Sequence, residues 1–289
     1  MGTSANATQK YFAQFGEDRI LDAIFQHQRE GNCVEVGAND GITDSMTYHF
    51  ELMGWECLLV EPVPDLARKI SEKRNCIVKT YAASSIEGEA SFTIAEKALG
   101  MSGLGLSKDQ RKKITRAGGT PKETTVRKKT LDSILEESNF SRIDFISIDV
   151  EGHELEVLKG FSLENFQPRI VLIEDNQDQT DPAVQDHMKS KGYVLFRRTG
   201  VNDWYALLND RELVNPERLA ALPEERARAR TDVQIMTLEN AIARKFSFVL
   251  PYIPEWTKSI VKRLIRLISN VNDGINKKME VDHHRRNPG

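Results

Sequence analysis

Three acids and a histidine stand at spacings that suit proton and metal chemistry. Asp149 closes one apolar run and His153 follows it by four residues, while Glu174 and Asp175 close a later run. If the two runs are neighbouring parallel strands, their carboxyl ends open on one cleft and the three carboxylates converge there. Hard oxygen ligands that leave open positions suit Mg²⁺ or Mn²⁺. Such an ion would grip two oxygens of a diol and make one of them more acidic. His153, with an ordinary pKa near neutrality, would take the proton. A second constellation lies upstream. Glu35-Val36-Gly37-Ala38-Asn39-Asp40-Gly41 ends an apolar run in small residues that let a bulky ligand approach the backbone. Glu61 ends the next run, about 20 residues on, where a carboxylate can accept hydrogen bonds from a ribose diol. Plainer roles compete with each: Asp40 and Asp149 as helix caps, Glu61, Glu174 and Asp175 as solvated strand ends.

No GxGxxG and no Walker sequence occurs in the chain, so dinucleotide and nucleoside-triphosphate readings lose their usual support. A glycine turn followed by Glu61 fits a nucleoside cofactor with little need for phosphate binding. S-adenosylmethionine is the natural candidate.

The elements that must position these residues alternate in type. Phe12 to Gln28 has helical spacing; Cys33–Gly37, Cys57–Glu61 and Cys76–Tyr81 read as strands. Helices are predicted at Asp44–Leu52 and Pro64–Lys73. Beyond them come a helix at Leu131–Glu137, strand Ile143–Asp149, a helix from near His153, strand Arg169–Glu174 and a helix at Pro182–Lys191. Tyr193–Arg197 and Trp204–Leu208, joined by Thr199-Gly200-Val201-Asn202-Asp203, read as an antiparallel hairpin. Alternating strands and helices imply an α/β fold with a seven-stranded, mostly parallel, doubly wound sheet. Residues 95–130 interrupt the pattern. Nine Lys/Arg against two Asp/Glu between Lys108 and Thr130, with Gly118-Gly119 and Pro121, predict a long loop or lid beside the acceptor.

The same residues carry a family resemblance. VEVGANDG (34–41), LLVEP (58–62), Ala82-Ala83-Ser84, TLDSIL (130–135), IDFISIDVEGHELEVLKGF (143–161) and IVLIEDN (170–176) follow one another in the order seen in FkbM methyltransferases. Gln14-Phe15-Gly16-Glu17-Asp18 is similar to the segment preceding the first strand of many members. The resemblance implies a Rossmann-like class I methyltransferase fold and O-methylation of a sugar or other hydroxylated metabolite. It implies that Gly37, Asn39, Asp40 and Gly41 line the methionine and ribose end of the cofactor, and Glu35 is counted with them as cofactor-binding. Glu61 would bind the ribose hydroxyls, and Ala83 and Ser84 would lie near the adenine. Asp149 and the acids after the fifth strand are laid out as in metal-dependent sugar O-methyltransferases of macrolide biosynthesis.

Composition sets the remaining bounds. The 289 residues carry a formal charge of −3, but residues 241–289 hold ten Lys/Arg and four Asp/Glu. An acidic body disfavours nucleic acid. The expected divisions are an N-terminal helical segment (1–29), a methyltransferase domain (30–210) and a helical extension (211–289). In the extension, Trp256, Ile260, Val261, Leu264, Leu267 and Ile268 lie opposite Lys258, Lys262, Arg263 and Arg266. That basic amphipathic helix suits an anionic membrane surface, which a glycolipid acceptor would share, or an oligomer contact. Cys33, Cys57 and Cys76 lack CxxC spacing and read as small buried hydrophobes. With no secretory leader and no apolar run of about 18–20 residues, the expected address is the cytoplasm, peripheral to the inner membrane. A non-catalytic, membrane-associated scaffold retaining the fold is the rival reading.

Overall fold

The computed structural model describes residues 10–175 and 182–245. It places α1 (Glu17–Ile24), β1 (Asn32–Val36), α2 (Tyr48–Met53), β2 (Glu56–Val60), α3 (Pro64–Lys73) and β3 (Ile77–Lys79) in the first third. Next come β4 (Ala82–Ala83), β5 (Gly88–Glu96), β6 (Gly103–Leu104), α4 (Lys108–Arg116) and β7 (Thr120–Lys129). α5 (Leu131–Glu137), β8 (Phe145–Ile148), α6 (Glu154–Lys159), α7 (Leu163–Phe166) and β9 (Ile170–Glu174) follow. α8 (Ala183–Ser190), β10 (Tyr193–Thr199), β11 (Asn202–Leu207) and α9 (Pro216–Lys245) end the described chain.

The expected seven-stranded sheet is present, in the order β10-β11-β9-β8-β1-β2-β3. β1 pairs in parallel with β2 and β8, β8 with β9, and β2 with β3, whereas β11 runs antiparallel to β9. The apolar runs are explained by burial on both faces. Val34, Val36, Ile146, Ile148, Val171 and Ile173 pack with Leu131, Ile134, Val157 and Leu158 of α5 and α6. The alternate residues Cys33, Cys57, Phe145 and Leu172 pack with Leu21 of α1, Phe50 of α2 and Ile70 of α3. Cys33 and Cys57 are free and buried, as their setting predicts. The chain turns back on itself between β1 and β8, so the crevice at their carboxyl ends is the topological switch point.

Residues 95–130 are not a loop. β5 and β7 form a long antiparallel pair from Gly88↔Lys128 to Glu96↔Thr120, and β4 and β6 extend it to a four-stranded sheet. Phe92 and Val126 of this sheet pack on Val63 and Leu66 at the start of α3. Ser107 begins α4 with a capping box in which its side chain accepts from Gln110 N while Gln110 bonds back. The basic residues that suggested a lid occupy α4 and exposed or half-buried positions of β7. At the front, α2 starts at Tyr48 rather than Asp44, whose φ of +58° is incompatible with a helix. By its contacts the chain divides into one unit of residues up to 197 with 202–220, and another of residues 198–201 with those from 221 onward. The amphipathic stretch 256–268 lies outside the described residues.

Candidate active site

The crevice is built by backbone contacts between strand ends. Gly37, at φ +89°, directly follows β1, and a Cβ there would sit 1.7 Å from the Asp149 carbonyl oxygen. Only glycine lets the exits of β1 and β8 approach this closely. Gly37 N and Ala38 N donate to Val60 O at 2.9 and 3.2 Å, and Asp149 N donates to Val36 O at 3.0 Å. Three strand ends are thereby held in register around one cleft.

Glu61, 4% exposed, accepts from Asn39 N and Val63 N, one on each oxygen and both at 2.9 Å. Burial lifts its pKa to about 7 against the opposing pull of those two bonds. Asn39 stands at φ +52° on the cleft wall, and its Oδ1 is buried without a hydrogen-bond partner among the described residues. Beyond Glu61 the lining turns apolar, with Leu66, Tyr81, Ala83 and Phe92. The cleft thus runs from a buried carboxylate to an apolar end. Gly100, Ser102 and Leu104 border the same space.

Several expected cofactor residues have other duties. Asp40 Oδ1 accepts from Ile42 N and Thr43 N at 2.8 and 2.7 Å, so it caps the turn and does not line the cleft. These bonds hold its pKa low although burial pushes it the other way. Gly41 packs against Ile70 and Arg74 of the α3 region rather than facing the ligand. Glu35 does reach the cleft floor, yet its carboxylate takes hydrogen bonds from Met46 N, Ser45 Oγ and Thr47 Oγ1. It secures the 45–47 loop, with the Arg74 guanidinium 3.8 Å away. Ser84, 2% exposed, is not among the residues lining the cleft, and its Oγ lies 3.0 Å from His153 Nε2.

The acids gather as expected, with one exchange. Asp149, Glu154 and Glu174 present carboxylate oxygens within 4.8 Å of one another. Asp175 does not join them, because successive side chains on an extended strand end point to opposite sides. Glu154 takes its place. Its Oε1 is oriented by Val150 N and Gly152 N at 3.2 and 2.9 Å. Asp175 remains near enough to add to the negative field on Glu154. Enclosure lifts Asp149 to about 6, with Glu154, Glu35 and Asp44 adding to the rise, while a hydrogen bond shared with Glu174 lowers it. Burial and then Asp149 push Glu174 well above the carboxylate range. These shifts follow from acids buried side by side, each disfavouring the ionised form of its neighbour.

Two more groups flank it. His153 lines the cleft at the start of α6, and burial lowers its pKa, so it is neutral at pH 7. Glu151 faces the cleft at φ +58°, lifted to about 8 by burial and by Asp149 and Glu154, with Lys113 opposing. Gln110 of α4 fixes this turn by donating to Glu151 O at 3.0 Å.

A family model described as the methyltransferase FkbM domain matches residues 35–195. The chain belongs to the FkbM methyltransferase family. No curated protein matches it. Among solved structures it is similar to a TehB-like S-adenosylmethionine-dependent methyltransferase from Corynebacterium glutamicum, at 10% identity and TM-score 0.37, covering 67% of this chain and 88% of that one. A putative RNA methyltransferase from Pyrococcus horikoshii gives 11% and 0.38, over 72% and 91% of the two chains. An O-methyltransferase from Bacillus cereus in complex with S-adenosylhomocysteine gives 14% and 0.35, over 68% and 81%.

The FkbM domain thus begins in β1 and ends in β10, and every strand end that builds the cleft lies inside it. Sequence reasoning about this FkbM methyltransferase missed Glu154 as a member of the carboxylate trio and Glu151 as an acid lining the cleft. Both sit in the Asp149–Glu154 turn, and the glycine at 152, at φ +101°, was the available sign that the chain bends there before α6 starts. Asp44 and Gln14, which also line the cleft, gave no signal of their own.

Proposed function

We propose that this S-adenosylmethionine-dependent methyltransferase methylates a hydroxyl group of a saccharide, glycolipid or similar hydroxylated metabolite, with a Mg²⁺ or Mn²⁺ ion at Asp149, Glu154 and Glu174. The observation that carries the reading is the carboxylate trio beside the nucleoside cradle. The cofactor supplies the electrophilic methyl group, and the ion supplies a positive centre that makes a coordinated hydroxyl more acidic. Glu61 accepts the ribose hydroxyls, and Asn39 Oδ1 gains the partner it lacks. Gly37 and Ala38 keep the backbone clear for the methionine end. Asp149 orients the acceptor. His153, neutral and oriented through Nε2 by Ser84, takes the acceptor's proton. Leu104 and Phe92, which also line the cleft, give the displacement an apolar border. The membrane-borne form of the acceptor rests on the spacing of Lys258, Lys262, Arg263 and Arg266 in the sequence.

Methyl transfer to a panel of glycans and glycolipids, assayed with labelled cofactor, tests the reaction. Turnover is expected to fall at least about 100-fold in EDTA and to return with added Mg²⁺. Full turnover in chelator would remove the metal from the scheme, and methylation confined to amines would remove the hydroxyl acceptor.

Glu61 gives a separate expected result. By calorimetry, Glu61→Ala should weaken S-adenosylhomocysteine by about 1–3 kcal/mol. Because the ribose hydroxyls donate to an ionised carboxylate and the free group holds its proton up to about pH 7, wild-type affinity should rise from pH 6 to 8. The variant should lose that slope. Equal affinity and equal slope in both proteins would place the nucleoside elsewhere.

A further inference from the structure

The segment ahead of α1 contributes to the wall of the cleft, and both flanking helices pin it. Phe12 N and Ala13 N donate to the buried Asp18 of α1, and Phe15 N donates to Glu17 Oε2 at 2.8 Å. Tyr11 Oη donates to Asp22 Oδ2 at 2.8 Å, and the Phe12 ring lies 4.6 Å from that of Tyr48 at the start of α2. Ala13 makes a parallel bridge to Asp44. Gln14, the next residue, and Asp44 itself both line the cleft. The loop that carries Asp44 is fixed as well, with Thr43 N donating to Asp40 at 2.7 Å and Met46 N to Glu35 at 2.9 Å. Asp44 is held at φ +58°, a left-handed conformation that its surroundings impose. Its charge adds to the rise in the pKa of Asp149, so this wall stands near the reacting centre.

The methyl donor carries two recognisable ends on its sulfur, a nucleoside and an α-amino acid. The amino-acid end has an ammonium, which only donates hydrogen bonds, and a carboxylate, which only accepts them. A glutamine amide offers donors to a carboxylate, and an aspartate offers acceptors to an ammonium. Given the S-adenosylmethionine reading above, on which this rests, we propose that Gln14 and Asp44 hold the amino-acid end of the cofactor, the Gln14 amide on its carboxylate and the Asp44 carboxylate on its ammonium. With the ribose on Glu61, the two ends are then read by parts of the chain far apart in sequence, the end of β2 and the segment before α1. The sulfonium is fixed from both sides, near Asp149.

Titration calorimetry of the full chain with two ligands tests the proposal: S-adenosylhomocysteine, and methylthioadenosine, which keeps the nucleoside and thioether but lacks the amino-acid end. Wild type should hold S-adenosylhomocysteine at least about tenfold more tightly than methylthioadenosine. Gln14→Ala and Asp44→Asn should each weaken S-adenosylhomocysteine at least about fivefold and leave methylthioadenosine unchanged. Asparagine accepts the left-handed backbone at position 44, so that variant removes the charge without unseating the loop. Gln14→Glu, which sets a carboxylate against a carboxylate, should weaken S-adenosylhomocysteine more than Gln14→Ala does. Equal loss of both ligands in the Gln14→Ala and Asp44→Asn variants, or no loss of S-adenosylhomocysteine in either, overturns the assignment. Glu61→Ala tests the underlying reading separately and should weaken both ligands by the same factor. If it weakens neither, the placement of the nucleoside fails, and the contrast between the two ligands in the variants at 14 and 44 still decides this one.

Discussion

Gly37→Ala is expected to lose both cofactor binding and most of the fold's stability, by more than about 4 kcal/mol. Two effects add. An alanine at φ +89° is strained by about 1–2 kcal/mol whatever surrounds it. The added methyl also lands 1.7 Å from a backbone oxygen, that of Asp149, which cannot rotate aside as a side chain would. β8 must then separate from β1 at the point where the central strands are joined. Gly118→Ala is the matched comparison, with φ +82° and open space around its Cβ position. It should show the conformational strain alone, about 1–2 kcal/mol, with cofactor binding intact. Thermal melts and calorimetry with S-adenosylhomocysteine on both variants make the measurement. If the two behave alike, the close approach of β1 and β8 is not what shapes the cleft.

Glu174→Gln should move activity and stability in opposite directions. Folding holds Asp149 and Glu174 together, and both keep protons to a higher pH than they would in the unfolded chain. The folded state therefore binds more protons than the unfolded state from about pH 4 upward, and stability declines as pH rises from there towards 8. Asp149 opens to the cleft, so solvent moderates its share. Removing one of the paired acids flattens that decline. At pH 8 the variant should be more stable than wild type by about 1–2 kcal/mol, with the gap closing near pH 4. Methyl transfer should fall at least about 100-fold, and Mg²⁺ should raise the melting temperature of wild type but not of the variant. A variant that is both active and less stable at pH 8 would contradict the reading of the trio as an uncompensated charge cluster.

Some of this was legible before any coordinates and some was not, for physical reasons. β1, β2, β8 and β9 are buried on both faces, so each announces itself as an apolar run closed by a polar residue. Their ends led to Gly37, Glu61, Asp149 and Glu174, which line one cleft. β7 is different. Only Val126 of its ten residues is buried, and Arg127, Lys128 and Lys129 give it the composition of a loop. Its partnership with β5 depends on side chains from α3 that no local pattern shows. Asp175 was expected among the acids because it adjoins Glu174 in sequence, but strand alternation separates neighbours and a turn brings in Glu154. The capping role of Asp40 was a visible alternative, and it is the one that backbone donors on Ile42 and Thr43 enforce.

The position of the four-stranded sheet in the chain bears on the order of folding. All of its pairings fall between Ala82 and Lys129, and the long β5–β7 ladder closes a short stretch of sequence. The β1–β8 pairing joins Cys33 to Phe145 and must enclose that whole insertion before it can form. Loop-closure entropy favours the local sheet as the early event and the central pairing as a late one. The switch-point crevice depends on that late pairing, so a refolding chain should acquire secondary structure well before it can hold its nucleoside.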